Sequence, residues 1–444
     1  MPFFDLTGTS ARREVRAGCA TFATMAYIVV VNPQILGDAG MPREGVMVAT
    51  CLAAALGSCL MGLLANYPFA LAPGMGLNAF FAYSVVLGSG LSWQGALAAV
   101  FMSGAIFVVL TLSRAREALF NAIPPALKAA IGVGLGLFIA LIGFKNAGLV
   151  AFNPATGSLG LVDGRYFADA ELGALLPPGT GPATPLLALF GLGLTALLYV
   201  RRVPGALLLG VLGTWAAAVA AGAAAWESVR FFGMPTGLGE VFLALDFAAA
   251  LDFGLVAIVL TFVFVDLFDT LGTLVGVSSK AGFLDERGRL PRVRRALLAD
   301  ALATLGGSLL GTSTTTTYVE SAAGVAEGGR TGLAALTTGA LFLAVVFLAP
   351  LAASVPAVAT APVLVLVGAL MMEPVRRIDF ADPLLAIPAF LTAALTPLAF
   401  SIAEGVSAGV LSYTLLNLLG GRPDRVGWPL RLLALLLAAR YFFL

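Results

Sequence analysis

Apolar runs of 18 or more residues recur from residue 17 to the C-terminus. Each is long enough to cross about 30 Å of hydrocarbon. Only 11% of the 444 residues are charged and 59% are hydrophobic, with a mean hydropathy of +0.98, whereas soluble domains carry about 25% charge. A bilayer offers backbone groups no partner but each other, so the chain reads as an all-α polytopic membrane protein. The start, Met1–Arg16, is polar with three arginines. The first apolar run already has spanning length, so no removable signal is expected ahead of it.

Several chemistries are disfavoured by composition. The net charge is +1 and the arginines are scattered over short loops, which does not suit a nucleic-acid partner. Cys19, Cys51 and Cys59 fall in apolar runs without a CxxC pair and read as packing residues. Histidine is absent, which removes the commonest metal ligand and the commonest proton carrier near neutral pH. No metal or cofactor is expected, and proton chemistry falls to carboxylates or lysine. The sequence shows no plausible nucleophile–base pair, so the chain does not read as an enzyme.

Apolar runs between charged or Pro/Gly-rich breaks give roughly fourteen segments, starting near residues 17, 46, 69, 91, 124, 182, 203, 250, 293, 315, 331, 355, 383 and 402. A last stretch, Trp428–Leu444, carries Arg431 and Arg440 and suits the interface as well as a span. With the N-terminus inside, the inner loops hold Arg114, Arg116, Arg201, Arg202, the cluster from Lys280 to Arg295, Arg330, Arg376, Arg377, Arg422 and Arg425. The other side receives Arg43, Lys145, Arg165 and Arg230. This asymmetry supports an even count near fourteen, with both termini cytoplasmic. Thr21-Phe22 and Thr261-Phe262, Asn78 and Glu320, and Ile123-Pro124 and Val355-Pro356 recur at offsets near 232–242 residues. Two halves of seven spans must enter from opposite sides, so the reading is a 7+7 inverted repeat, the usual construction of secondary transporters.

Two segments cannot be continuous helices. Ala65–Phe80 holds Pro68, Pro73, Gly74 and Gly76, and proline inside a helix costs about 3 kcal/mol. An extended piece followed by a half-helix after Pro73 is expected. Gly311–Ser321 carries threonines at 312 and 314–317, poor at helix propagation but good as caps. An extended piece and a helix starting near Thr316 are expected there. Irregular backbone at membrane depth survives only where protein or a watery cavity covers it, so the two breaks should face each other at a binding site.

Carboxylates lie in the same region. Asp266 and Asp269 are three apart on one helix face, and an unpaired charge at that depth costs at least about 2.5–3.5 kcal/mol. Glu320 lies one turn into the tenth half-helix. Glu327 reads as an end-of-helix partner for Arg330, and Asp300 as ambiguous, with Arg294 or Arg295 as partner. A carboxyl that loads a proton, grips a neutral base through either protonation form and then releases both would couple transport to a proton gradient.

The stretches Thr21–Pro33, Asn66–Asn78, Asp266–Thr273 and Thr314–Gly324 resemble the AzgA-like purine permeases of the nucleobase–cation symporter superfamily. The likeness covers nearly the whole chain, thinning at 150–180 and after 421. It implies a core domain (residues 17–112 and 250–353) moving against a gate domain (124–225 and 355–420), with 428–444 outside both. It also implies short strands in spans 3 and 10, and import of guanine, hypoxanthine or adenine by proton symport with elevator-type motion. Matched by motif, the substrate contacts are Asp269, Glu320, Tyr318, Asn78, Thr317, Thr273 and Gly74, and the proton-coupling groups are Asp266, Asp269 and Glu320. Uracil-type relatives often carry histidine where Thr273 stands, which leaves proton handling to carboxylates. Proton rather than sodium coupling rests on the resemblance. Localisation in the cell's inner membrane and a homodimer supported by glycine-rich gate faces complete these expectations. Rival readings are a uracil or xanthine permease, a sulfate or bicarbonate carrier on the same fold, and an ion channel. Three acidic groups at the site argue against an anionic substrate, and paired broken helices suit alternating access better than a pore.

Overall fold

The apolar runs fold as helices, each closing its own hydrogen bonds. The computed structural model describes residues 9–113, 124–153, 158–177, 180–224, 232–252, 255–285 and 290–443. Arg114, Arg116, Ile123, Arg230, residues 1–8 of the polar start and the middle of the 280–295 cluster lie outside these. The helices are α1 (Ala11–Met25), α2 (Ile28–Asp38), α3 (Arg43–Leu60), α4 (Met75–Ala79), α5 (Trp93–Leu112), α6 (Pro125–Asn146), α7 (Thr184–Val200) and α8 (Ala206–Ala220). Then follow α9 (Leu255–Ala281), α10 (Val293–Leu310), α11 (Ser321–Ala326), α12 (Gly332–Val345), α13 (Ala357–Leu370), α14 (Pro383–Leu398), α15 (Ile402–Leu419) and α16 (Trp428–Phe443). Shorter helical turns join them. Among the described residues, six helical stretches are long and apolar enough to cross a membrane: Ala11–Asp38, Arg43–Ala65, Trp93–Leu112, Pro125–Asn146, Gly332–Ala352 and Ala357–Arg377.

Four short strands depart from an all-helical chain. β2 (Val150–Asn153) and β3 (Ser158–Leu161) make a hairpin in the long connection after α6. β1 (Leu71–Pro73) and β4 (Thr315–Thr317) pair antiparallel although more than 240 residues separate them. After β1 the chain turns at Gly74 into α4, and π-helical winding continues through Gly88. On the other side the sequence expectation needs correction, because the helix begins at Ser321 rather than near Thr316. The ladder explains this. Tyr318 still donates its backbone N–H to Ala70 O at 3.0 Å, so the threonines remain strand and the helix waits until that pairing ends.

Two sets of contacts surround the strand pair. α10 packs on α5 and α3, and α12 packs on α3 and α1. α6 packs on α13 and α14, α14 on α15, and α7 on α8 and α13. β1 lies on α3, and β4 lies on α9 and α10, so the strands sit among helices of the first set and α9.

Candidate functional site

The strand pair is held by side chains that complete its hydrogen bonds where no water reaches. Leu71 pairs with Thr317, Ala72 with Thr316 and Pro73 with Thr315. Gly74 N–H donates to Thr314 O at 3.0 Å. The Ser58 hydroxyl lies 3.1 Å from Leu71 N and 3.2 Å from Leu71 O, serving both groups. Ser321 Oγ accepts from Ala70 N at 3.0 Å, and Thr304 donates to Thr315 O at 3.0 Å. Interrupted backbone in an apolar surrounding requires such partners.

At Gly74, just past β1, the chain meets both β4 and α9. A Cβ there would lie 2.6 Å from Thr316 Cγ2 and 3.4 Å from Asp269 Oδ2. Asp269 and Thr273, one turn apart on α9, are half-buried. Asp266 is fully buried. The shared helix face expected from their spacing therefore splits: Asp269 lies beside the strand break, while Asp266 lies behind it. There the Thr270 hydroxyl sits 3.2 Å from Asp266 Oδ1, 3.0 Å from Asp300 Oδ1 and 2.8 Å from Thr316 Oγ1. A hydroxyl has one hydrogen to give. Thr270 thus donates to one carboxylate at a time, and a bond to the other requires that carboxyl to bring its own proton.

Glu320 is half-buried beyond the end of β4 and accepts from the Tyr27 hydroxyl at 2.9 Å. Tyr318 turns its hydroxyl to Pro73 O at 2.5 Å, tying its strand to the opposite one. Asn78 is fully buried, 3.4 Å from Pro73 O through Nδ2, and accepts from Ser313 through Oδ1. It joins the two broken segments. Thr317 is buried, and its hydroxyl has no hydrogen-bond partner among the described residues.

Asp300 turns inward, and this corrects the arginine pairing expected for it. Arg294 instead donates to the carbonyls of Thr111 and Leu112, at 3.3 and 2.6 Å. Helical spacing carried the signal: residues five or six apart lie on different faces, so neither Arg295 nor Arg294 was placed to reach Asp300. Glu327 is also reassigned. It pairs with Arg16 at 2.5 Å, because Gly328 at φ +98 reverses the chain before Arg330. Glu14, fully buried, accepts from the backbone N–H groups of Arg330 and Thr331 at 2.9 and 3.2 Å. Thr270 and Tyr27 were not singled out from sequence. Hydroxyls in apolar helices carry no signal until a partner from a distant segment arrives.

Comparison with solved structures gives the class of fold. The transmembrane domain of a cyanobacterial bicarbonate transporter, BicA, aligns with a TM-score of 0.66 over 90% of this chain and 97% of that one, at 17% identity. Murine Slc26a9, an anion transporter in its inward-facing state, aligns with a TM-score of 0.67 over 92% and 68%, at 12% identity. The fold is that of multi-pass membrane transport domains. Residues 12–408 match the model of the Permease family designated Xan_ur_permease. The chain belongs to that family, and is an integral multi-pass membrane transporter rather than an enzyme. It is 41% identical to the adenine permease AdeP of Escherichia coli over 98% of this chain and 94% of that protein. It is 43% identical to the guanine/hypoxanthine permease PbuG of Bacillus subtilis over 95% and 94%. A Methanocaldococcus jannaschii protein carrying a permease name is 50% identical over 99% and 97%.

Proposed function

We propose that this permease imports purine nucleobases, guanine, hypoxanthine or adenine, by proton symport across the cell's inner membrane, with both termini cytoplasmic. The observation that carries this reading is the pair of half-buried carboxyls, Asp269 and Glu320, at the β1–β4 strand break. A purine base offers N–H donors and ring-nitrogen acceptors along its edges. A carboxylate accepts from the donors, and a protonated carboxyl can also donate to a ring nitrogen. The names of relatives such as the adenine permease and the guanine/hypoxanthine permease support the same substrate class.

Thr273 and the backbone at Gly74 complete the base's surroundings in this reading, while Asn78, Thr317 and Tyr318 hold the two broken segments in register. The buried Asp266, which shares the Thr270 hydroxyl with Asp300, is the third proton-coupling group beside Asp269 and Glu320. Access alternates as the core domain, residues 17–112 and 250–353, slides against the gate domain, residues 124–225 and 355–420. The likeness to bicarbonate and anion transporters reaches the fold only, and a site lined by carboxylates disfavours an anion.

Uptake of radiolabelled hypoxanthine, guanine, adenine, uracil and sulfate into cells lacking their own permeases tests the reading. Purine uptake abolished by an uncoupler is expected. Uptake of uracil or sulfate alone would refute the purine assignment, and purine uptake indifferent to the uncoupler would refute proton coupling.

A further inference from the structure

Span 1 reaches the site at the point where its helix tightens. Between α1 and α2, Ala26 (φ −60, ψ −19) and Tyr27 (φ −58, ψ −26) leave ordinary α-helical winding, whose ψ lies near −42°. Tyr27 is 1% exposed, and its hydroxyl lies 2.9 Å from Glu320 Oε1. Packing fixes this distance independently. Gly324 on α11 meets α1 so closely that a Cβ would fall 2.2 Å from Thr21 Oγ1 and 2.6 Å from Ala17 O. The helix that leads into Tyr27 and the segment bearing Glu320 are thus packed together at backbone contact.

We propose that Tyr27 is the positioning residue of Glu320: it donates permanently to Oε1, leaving Oε2 to exchange the proton and meet the base. The number of available hydrogens requires it. If Oε1 carried the proton and donated to Tyr27, the phenol hydrogen would need another acceptor. Glu320 Oε1 is the hydrogen-bond partner recorded for that hydroxyl among the described residues, and a buried donor left unmade costs about 1–3 kcal/mol. The hydroxyl therefore donates in both protonation states. Ionised, Oε2 accepts from a ring N–H; protonated, it donates to a ring nitrogen lone pair. The edge of the base that Glu320 reads then follows its protonation.

The titratable groups around Glu320 are Tyr27 on span 1, Tyr318 on β4 and Asp269 on α9, with Asp266 and Asp300 behind. At the other end of α11, Glu327 is paired with Arg16, and Glu14 is bonded to the chain before α12. The inference rests on Glu320 facing substrate, but its first test needs none. Infrared difference spectra of the full chain in lipid vesicles, recorded against pH, resolve a carboxyl band identified as the one lost in Glu320→Gln. In Tyr27→Phe its midpoint should move about one unit to higher pH. In Tyr83→Phe, which loses a hydroxyl bonded to Asp38 instead, it should stay. Fluorotyrosine at position 27, a stronger donor of nearly unchanged shape, should move it lower, and serves where Tyr27→Phe does not fold. In uptake, Tyr27→Phe should raise KM roughly tenfold with Vmax little changed. A midpoint unmoved by both replacements overturns the inference. A wild type that takes up no purine overturns the substrate assignment instead and leaves the infrared result standing.

Discussion

Thr270 shows how much one hydroxyl can organise. Three oxygens from α9, α10 and β4 converge on it, so Thr270→Val would leave buried carboxylate oxygens short of a partner at constant shape. The expected loss is about 1–3 kcal/mol of stability, visible as a lower unfolding temperature in detergent. Thr315→Val makes the contrast, because the Thr315 hydroxyl is buried without a hydrogen-bond partner among the described residues. It should be neutral or slightly stabilising. Equal losses in the two variants would show that Thr270 is not organising the cluster. Of these residues, Asp266 was legible from its cost in an apolar helix, whereas Thr270 was not, since threonine sits in such helices at little cost.

The strand pair is an element built from two sequence-distant fragments, and its tolerance is set at Gly74. Gly74→Ala would press a methyl into Thr316 Cγ2. An overpacked site costs roughly 1–3 kcal/mol, and here relief comes by separating β1 from β4. Uptake should fall at least tenfold while the folded protein is still recovered by size exclusion; uptake at the wild-type level would show that strand spacing is not critical. Charge fastens the start of α14. Asp382 caps its N-terminus, accepting from Leu384 N at 3.0 Å, and Arg425 donates to it at 2.6 Å. The Arg425 guanidinium holds this carboxyl below its ordinary range. A carboxyl depressed in the folded state stabilises above its unfolded pKa and loses that contribution as pH falls through the folded value. The gap in unfolding temperature between wild type and Asp382→Asn should therefore be present at pH 7 and close below the ordinary carboxylate range; a gap independent of pH would count against the pair. Both interruptions were legible, one from its prolines and the other from its threonines. Their pairing, register and the delayed start of α11 were not, because partners more than 240 residues apart leave no local pattern.

Across the whole molecule, hydrogen bonds also join Gln34 and Ser84 to the chain beyond residue 353. Gln34 donates to Val355 O at 2.9 Å and accepts from the Thr360 hydroxyl, while Ser84 donates to Phe400 O at 2.7 Å. If access alternates, these bonds weight one state. At about 1 kcal/mol each, losing these three neutral bonds shifts a two-state population by roughly a hundredfold. The double variant Gln34→Ala, Ser84→Ala can be read with Val319→Cys, a position 55% exposed beside Glu320, in a background without Cys19, Cys51 and Cys59. Its labelling by an impermeant maleimide should change side preference; unchanged labelling from both sides would remove these bonds from the mechanism. The sequence by itself determined that this chain lives in a bilayer, where most of its helices begin, and that Ala65–Phe80 and Gly311–Ser321 resist continuous helix. These follow from composition, proline and β-branching, which act locally. Only the tertiary structure decided that Asp266 and Asp269 part company, that Asp300 joins the former through Thr270, and that Tyr27 takes Glu320. A hydrogen bond between distant segments is a property of where the fold brings them, and no spacing in the chain encodes that distance.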